Sequence, residues 1–406
     1  MSIASRQNSQ QVGINRLWQQ LAIAANWPVL LAVTVLSVLG VMSIWVDSPA
    51  DGPKQLVFLA VAVGVLAAMQ AVNYLVLGRY AWPLYIFSLV LIGYTLLGGL
   101  AESHGHSLPG VHSSHGACCW ISFPGGISFE PSELMKISFI LVLARYLRYR
   151  DNYRTMAGLL IPFLLALIPA VLILKQPDLG VAALFVPTLF ALLFVAGAKL
   201  KHLLAVVALG LILIPLLWLS GDENVPFFRH LPAIVQNYQR ARLTGLLGND
   251  PKTLRQSGFQ QLRALTAMGS GGPTGNGAGK IPVGHGVPEA KNDMIFAIIG
   301  EQFGLVGSIA ILAAYIVLFI AGIEIAANTR EPFGRLVAIG IVALLAVQAI
   351  LNLSVVMRLF PVTGVTLPFV SYGGSSLVAS YISAGFLLNI GQNRPLVIAR
   401  NAFEFD

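Results

Sequence analysis

Charged residues are scarce in this chain of 406 residues, where Asp, Glu, Lys and Arg make up only 10%. Soluble globular domains carry about 25%. Hydrophobic residues make up 56% of the chain and the mean hydropathy is +0.77. Apolar runs near membrane-spanning length recur from the first third of the chain to its end. The shortage of charge therefore excludes a soluble protein and predicts an integral membrane protein.

Cysteine is nearly absent as well, because Cys118 and Cys119 are the chain's 2 cysteines. Two adjacent cysteines exclude a disulfide framework. Four histidines precede them in the same loop: His104, His106, His112 and His115. Imidazole and thiolate ligands suit zinc or copper, but the spacing matches no compact metal motif, so solvated loop histidines are the favoured interpretation. No metal site is predicted.

The net charge of +8 does not indicate a nucleic-acid partner, because the cations are spread over loops and form no cluster. They instead predict the orientation in the membrane. In the short loops, Lys and Arg lie mostly on the side that holds both termini, which places the termini in the cytoplasm. Membrane lipid is the expected surroundings of the chain.

The apolar runs predict an all-α polytopic protein of about ten transmembrane helices. We expect a cytoplasmic N-terminal segment at 1–28, a membrane domain at 29–391 and a cytoplasmic tail at 392–406. A large external loop at about 220–292 separates the seventh span from the eighth. The predicted spans are 29–46, 56–77, 82–100, 134–147, 157–174, 180–198, 202–219, 294–325, 335–356 and 367–391.

Acidic residues precede and enter the eighth span. If its helix already begins at Glu289, then Glu289 and Asp293 lie near one face. Alternatively, Asn292 or Asp293 is the N-cap of the helix, a position that both residue types favour. Glu301 would lie about 12 Å further along the axis, inside the apolar stretch, where an ionisable side chain is usually functional or paired.

The external loop carries candidates for anion binding. Arg240 and Arg242 could contact one anion if their segment is extended, although contact with lipid or solvent is an equal alternative. A glycine-rich run at 268–286 could bring backbone N–H groups close to a phosphate, or could be a flexible linker. Lys280 lies in this run, which is not a Walker loop because Ile281 stands where that motif needs a hydroxyl.

Polar residues also interrupt three other apolar runs at the external side. Glu133 and Lys136 open the fourth span, and Asp178 is a turn or cap residue before the sixth. Ser371 and Ser375 lie in PVTGVTLPFVSYGGSS at 361–376. Irregular backbone at membrane depth is tolerated only where it is buried in protein or lines a cavity. These features together predict a cavity that opens to the outside.

Several stretches in the same order resemble the SEDS family, the proteins of shape, elongation, division and sporulation of the RodA and FtsW type. The resemblance runs from the first span to about Pro395. The matching stretches are Trp120-Ile121, Pro131-Ser132-Glu133 with Lys136, QPDLG at 176–180, YQRARL at 238–243, MGSGG at 268–272, PEA at 288–290, Asp293 with Ile295-Phe296-Ala297, Gly300-Glu301, and 361–376.

The resemblance implies a peptidoglycan glycosyltransferase that polymerises glycan strands from lipid II, the undecaprenyl-pyrophosphate disaccharide pentapeptide. It places the reaction on the outer face of the bacterial cytoplasmic membrane and implies a class B penicillin-binding transpeptidase as partner. QPDLG favours the elongation type. The key acid of the family corresponds to Asp293. The chain departs from the family pattern at Cys119, Glu130, Lys291, Asn292, Gln302 and Arg358.

A general-base role for Asp293 is the resulting hypothesis, in which the carboxylate takes the proton of an attacking sugar hydroxyl. Lys291 beside it would favour the ionised carboxylate. Arg240, Arg242 and Lys280 would stabilise the departing pyrophosphate, with Glu289, Glu301, Lys136, Asp178, Ser371 and Ser375 as further substrate contacts. No cofactor is assigned, although Mg²⁺ or Mn²⁺ could assist. The alternatives are a flippase for lipid-linked precursors and a non-catalytic activator of a transpeptidase.

Overall fold

The computed structural model describes residues 26–103, 108–111, 119–123, 127–220, 246 and 258–392. Most of the predicted N-terminal segment and C-terminal tail lies outside these residues. The same holds for several side chains singled out above, namely Arg240, Arg242, Cys118, His104, His106, His112 and His115.

Long helices dominate the described part of the chain. They are α1 (Trp27–Asp47), α2 (Gly52–Gln70), α4 (Ala81–Ser103), α5 (Pro131–Tyr149), α6 (Leu160–Leu174), α7 (Leu179–Ala196), α8 (Leu200–Leu219), α10 (Ile295–Ala327), α11 (Pro332–Val356) and α12 (Gly374–Gln392). Two shorter helices are α3 (Tyr74–Arg79) and α9 (Phe259–Ser270). Eight of the long helices are apolar enough to cross a membrane, and each predicted span coincides with one long helix. The predicted all-α polytopic fold is confirmed.

Two of the predicted spans have wrong boundaries. The second was expected to reach residue 77, but α2 ends at Gln70 and α3 begins separately, because the Asn73 side chain caps it by accepting a hydrogen bond from Leu75 N. The tenth was expected from residue 367, but α12 begins at Gly374. Before it, the 361–373 segment is irregular and its backbone is held by side chains such as Ser371, whose Oγ accepts from Leu367 N at 2.8 Å.

A small antiparallel hairpin is the only β-sheet in the described residues. Strand β1 (Ile121–Phe123) pairs with β2 (Ile127–Phe129), with Ser122 opposite Ser128. The hairpin leads directly into Pro131, which starts α5. In the described residues this hairpin, which lies before the first turn of α5, is therefore the one regular element that is not helical.

The helices pack around α11 and α12, which are buried over most of their length. α12 packs against α2, α1 against α10, and α11 against α7 and α10. Aromatic pairs such as Phe139 with Phe185, whose ring centroids are 5.1 Å apart, join α5 to α7. Leucine, valine and isoleucine side chains cover the outward faces of α2, α4 and α8. In a bilayer these apolar faces contact lipid, which accounts for their exposure in the isolated chain.

A break divides α10 at Gly304, whose φ of +65° is outside the helical region. A Cβ at this position would lie 2.3 Å from the backbone N of Gly275, so a larger residue would clash. The break frees the carbonyls of Glu301 and Gln302, which accept hydrogen bonds from the backbone N–H groups of Asn276 and Gly277. The glycine-rich run is therefore attached to the broken helix along its length.

Candidate functional site

Asp293 lies in a tight turn immediately before α10 and is only 6% exposed. The turn closes on Glu289, whose φ is +52° and whose carbonyl accepts from Asn292 N and Met294 N. The helix begins at Ile295 and no side chain caps it. The helix therefore does not run from Glu289, so Glu289 and Asp293 do not share a helical face. Neither Asn292 nor Asp293 is the N-cap of α10.

Two neutral amides hold Asp293 in position. Gln260 of α9 donates from Nε2 to Asp293 Oδ1 at 3.3 Å and to the carbonyl of Pro288 at 3.1 Å. Asn352 of α11 donates from Nδ2 to the backbone carbonyl of Asp293 at 2.7 Å and to that of Val365 at 2.8 Å. The carboxylate is thus positioned by two helices and by the 361–373 segment.

Sequence reasoning assigned no role to Gln260 or Asn352. Asn352 is 1% exposed near the end of an apolar helix, and a buried amide at such a place needs partners. That signal was available in the sequence. The partners of the amide are far apart along the chain, so only the fold could show that it serves Asp293.

Lys291 contacts a carboxylate other than Asp293, and its influence on Asp293 stays a prediction. Its ammonium forms a salt bridge with Asp51 and lies 5.0 Å from the centroid of the Tyr372 ring. Asp51 also accepts from Lys54 at 2.9 Å and from Ser48 at 2.9 Å. The hydrogen bonds from Lys291 and Lys54 hold the pKa of Asp51 well below its usual range. Two cations therefore share one ionised carboxylate at the external end of α2.

An apolar groove of about 650 Å³ opens beside these cations. Its wall is formed by α2, β2, α5 and α12, with Phe58, Leu134 and Ile382 among the apolar residues. Lys54, Tyr372 and Ser375 line the external end of the groove. A groove with a lysine at one end and apolar residues along its walls is therefore present, and its opening to the outside stays a prediction.

A second cavity, of about 140 Å³, lies between α5, α7 and the 361–373 segment. It holds the buried pair of Glu133 and Lys136, which are 3.0 Å apart. Lys136 also donates to Gln348 Oε1 at 3.2 Å. The salt bridge lies within α5, and the hydrogen bond to Gln348 joins the start of α5 to α11. Lys136 therefore has structural partners in addition to its predicted role in substrate binding.

Two further carboxylates line this second cavity. Burial, together with the negative charges of Glu133 and Asp178, raises the pKa of Glu130 to about 8. Asp178 Oδ1 accepts from Val181 N at 3.0 Å and caps α7, which confirms the cap interpretation. No group of acidic, histidine or cysteine side chains suited to a metal ion occurs among the described residues.

The remaining candidates occupy three different settings. Ser371 is buried, and its Oγ donates to the carbonyl of Asn292, which ties the 361–373 segment to the Asp293 turn. Glu289 and Lys280 are exposed on the external loop. Glu301 is fully buried and accepts from the backbone N of Val283 at 2.8 Å.

The Glu301 contacts decide between the two interpretations of the glycine-rich run. Its Oε2 accepts from Gly284 N at 2.6 Å and its Oε1 from Ser270 at 3.2 Å. Together with the backbone contacts at the break in α10, these bonds fix the run against the helix. The flexible-linker interpretation is wrong for residues 268–286, and several of the N–H groups proposed for phosphate already have protein acceptors.

Two departures from the SEDS pattern are accommodated inside the protein. Cys119 is buried, with its thiol 3.3 Å from the carbonyl of Gln176. Gln302 is 1% exposed and accepts from Ser43 of α1 at 3.2 Å. Both residues fill local positions away from the Asp293 carboxylate contacts.

The family model for FtsW, RodA and SpoVE, described as a cell cycle protein, matches residues 17–395. This chain belongs to that family. It is 32% identical over 381 residues to a probable peptidoglycan glycosyltransferase FtsW of Geobacter sulfurreducens, covering 89% of this chain and 94% of the relative. Stage V sporulation protein E of Bacillus subtilis is 34% identical over 374 residues, covering 89% and 94%. MrdB of Escherichia coli K12, a peptidoglycan glycosyltransferase, is 30% identical, covering 91% and 94%.

Solved structures show the same fold. A chain of a peptidoglycan synthase complex that coordinates polymerization and crosslinking matches with a TM-score of 0.75 and 27% identity, over 91% of this chain and 98% of that one. The rod shape determining protein RodA of Thermus thermophilus matches with a TM-score of 0.63 and 25% identity, over 91% and 97%. The predicted family, the polytopic fold and the glycosyltransferase activity in cell-wall synthesis are confirmed. The preference for the elongation type stays a prediction, because the relatives include an FtsW, a sporulation protein and MrdB.

Proposed function

We propose that this protein polymerises glycan strands from lipid II on the outer face of the bacterial cytoplasmic membrane, with both termini in the cytoplasm. The observation that carries the proposal is a nearly buried carboxylate, Asp293, held by two amides beside the cationic mouth of an apolar groove. Lys291 and Tyr372 connect the turn of Asp293 to the groove, because Tyr372 N donates to the carbonyl of Lys291 at 2.8 Å.

The groove suits the polyprenyl chain of such a substrate. Its walls between α2, α5 and α12 are mostly apolar, with Glu133 as the one carboxylate in the lining. An isoprenoid chain in the groove would contact apolar side chains and leave its pyrophosphate at the mouth. Because the chain would come from lipid and not from water, these contacts would orient the substrate without a hydrophobic driving force.

The mouth suits the pyrophosphate. Lys54 and Lys291 share Asp51, and Asp47 lies within electrostatic reach of Lys291 and Asp51. The side chain of Lys54 is 62% exposed and can reach an anion in the groove. Lys280, Arg240 and Arg242 stay candidates for further contacts from the external loop, and neutralisation of the leaving group would lower the barrier.

The reaction then needs one proton acceptor. A hydroxyl oxygen of one sugar attacks the anomeric carbon of the other, and the bond from that carbon to the pyrophosphate oxygen breaks. Asp293 takes the hydroxyl proton as the new glycosidic bond forms, and the lipid pyrophosphate departs with the bonding electrons. A positioned general base contributes about 10² to 10⁴-fold to such a step. A divalent cation at the pyrophosphate would supply additional charge stabilisation.

A class B penicillin-binding transpeptidase is the partner we propose. The support is the similar chain in a peptidoglycan synthase complex that coordinates polymerization with crosslinking. Polymerisation and crosslinking act on the same strand, so their association on one membrane face is chemically reasonable.

The test is Asp293→Asn, assayed as purified protein with lipid II and the transpeptidase. We expect polymer formation to fall by at least about 100-fold, because the amide cannot accept the proton. Glu324→Gln on the same helix is the matched control, since Glu324 is exposed toward the other end of α10. Polymerisation by Asp293→Asn at the rate of the control would refute the role of Asp293.

A further inference from the structure

A cavity of about 390 Å³ lies at the opposite end of α5 from the Asp293 site. α5 has 19 residues, so its two ends are about 28 Å apart. Three arginines line the cavity: Arg79 at the end of α3, and Arg145 and Arg148 in the last turns of α5. No aspartate or glutamate lines it within the part of the chain that the structure describes.

The charges in this arginine cavity are not balanced. Arg148 forms a salt bridge with Glu331 at 3.1 Å, and Glu331 is 4% exposed and also caps α11 through Gly334 N. Arg145 donates to the neutral carbonyl of Gly78 at 2.6 Å. Among the described residues, Arg79 and Arg145 form no ion pair. Two guanidinium charges are therefore in excess.

The walls of the arginine cavity are fixed before any ligand arrives. Tyr74 of α3 is fully buried and stacks on Phe333 of α11, with ring centroids 6.4 Å apart and an angle of 10° between the planes. A Cβ at Gly78 would come within 2.5 Å of the Phe333 ring, so α3 and α11 are in close contact. Tyr74 N also donates to Asn389 of α12 at 2.9 Å. A preformed site loses little entropy on binding.

Phosphate is the anion that this chemistry fits. A guanidinium group presents several N–H donors in a planar fork that matches phosphate oxygens. Tyr80 and Tyr149 flank the cavity, and both are 64% exposed. Exposed tyrosines at the end of membrane helices are typical of the headgroup layer, where basic cavities between helices bind anionic lipids.

We propose that the arginine cavity binds the phosphate of an anionic phospholipid of the adjacent leaflet. The site is remote from Asp293 and uses none of its residues. A soluble phosphate is the other source of the same chemistry, and the experiment below separates the two.

The experiment measures binding to the full-length protein in detergent. Dihexanoyl phosphatidylglycerol, dihexanoyl phosphatidylcholine and inorganic phosphate are titrated separately, with native mass spectrometry and the unfolding temperature as readouts. We expect phosphatidylglycerol to bind and to raise the unfolding temperature, and the other two to have much smaller effects. Arg79→Gln should weaken the binding of phosphatidylglycerol about fivefold, since each cation near a lipid phosphate contributes on that scale.

Arg79 is exposed, so its substitution should leave folding intact. Arg79→Gln/Arg145→Gln tests both charges that are in excess. The matched control is Lys199→Gln/Lys201→Gln, which removes two exposed cations from the same face, between α7 and α8. Equal loss of binding in the control and the double variant would overturn the site. Stabilisation by inorganic phosphate as strong as by phosphatidylglycerol would overturn the lipid source, and binding by neither would overturn the proposal.

Discussion

Two carboxylates on either side of the 361–373 segment are held in opposite ways. An amide donor, Gln260, contacts the carboxylate of Asp293, and a second amide, Asn352, fixes its backbone. Glu133 is instead paired with the ammonium of Lys136, which is 3% exposed. The hydrogen bond from Gln260 orients the Asp293 carboxylate, whereas the ammonium of Lys136 neutralises the charge of Glu133. The first arrangement suits a group that must accept a proton, and the second suits a structural connection.

The largest expected effect in this comparison comes from Lys136→Met. The substitution would leave Glu133 buried without its cation, and loss of one partner of a buried pair costs about 3–5 kcal/mol. We expect a large fall in the unfolding temperature and in the yield of folded protein. Lys136→Met/Glu133→Gln is the control, because removal of both charges should recover much of the loss. A single variant no less stable than the double would contradict the structural role.

Asn352→Ala should have a smaller effect on stability and should mainly lower the polymerisation activity. The backbone carbonyls of Asp293 and Val365 lose their donor, at a cost of about 1–3 kcal/mol in stability. Polymerisation per folded molecule should fall about tenfold, because displacement of a catalytic group by a fraction of an ångström slows proton transfer.

Gln348→Ala is the matched variant for that test. Gln348 lies one turn before Asn352 on α11, donates to the carbonyl of Thr366 at 3.0 Å and accepts from Lys136 at 3.2 Å, so its loss should cost at least as much stability. Polymerisation should be less affected, since Gln348 does not contact the Asp293 turn. Equal loss of activity in the two variants would show that Asn352 acts only through stability.

The pH dependence of stability should report on Glu130. Its pKa is raised from the ordinary 4.5 to about 8 by burial and by Glu133 and Asp178. The folded state therefore holds a proton that the unfolded state releases, so the stabilising contribution is complete below pH 4.5 and is lost as the pH rises to about 8. The unfolding temperature should fall more between pH 5 and 8 in the wild type than in Glu130→Gln. Identical slopes would refute the raised pKa.

The smallest expected effect is that of Lys54→Gln at the mouth of the groove. The side chain is largely exposed, so the unfolding temperature should not change measurably. KM for lipid II should rise a few-fold while kcat changes little, because the lysine contacts the anion before and during the reaction. A lowered kcat at unchanged KM would assign Lys54 to the transition state instead.

The position of each span could be predicted from the sequence because hydrocarbon imposes one rule on every helix. About 20 apolar residues are needed to cross, and eight of the long helices in the described residues meet this rule by length and composition. The two boundary errors arose from local side-chain bonds, at Asn73 and at Ser371, that hydropathy does not register. Lys136 and Glu301 stood out because charged residues are rare in an apolar sequence, whereas Asp293 was proposed through the resemblance to the SEDS family.

The sequence alone thus determined the membrane location of this protein and its helical class, and its resemblance to the SEDS family led to the proposal of Asp293 as the base. The tertiary structure alone decided which groups meet: Lys291 with Asp51, Glu301 with the glycine-rich run, and Asn352 with the turn of Asp293. Whether a segment lies in lipid depends on its own amino-acid composition and not on the other segments. Hydrogen bonds and salt bridges act over about 3 Å, and here they join residues that are far apart along the chain. They therefore form only once the helices have packed.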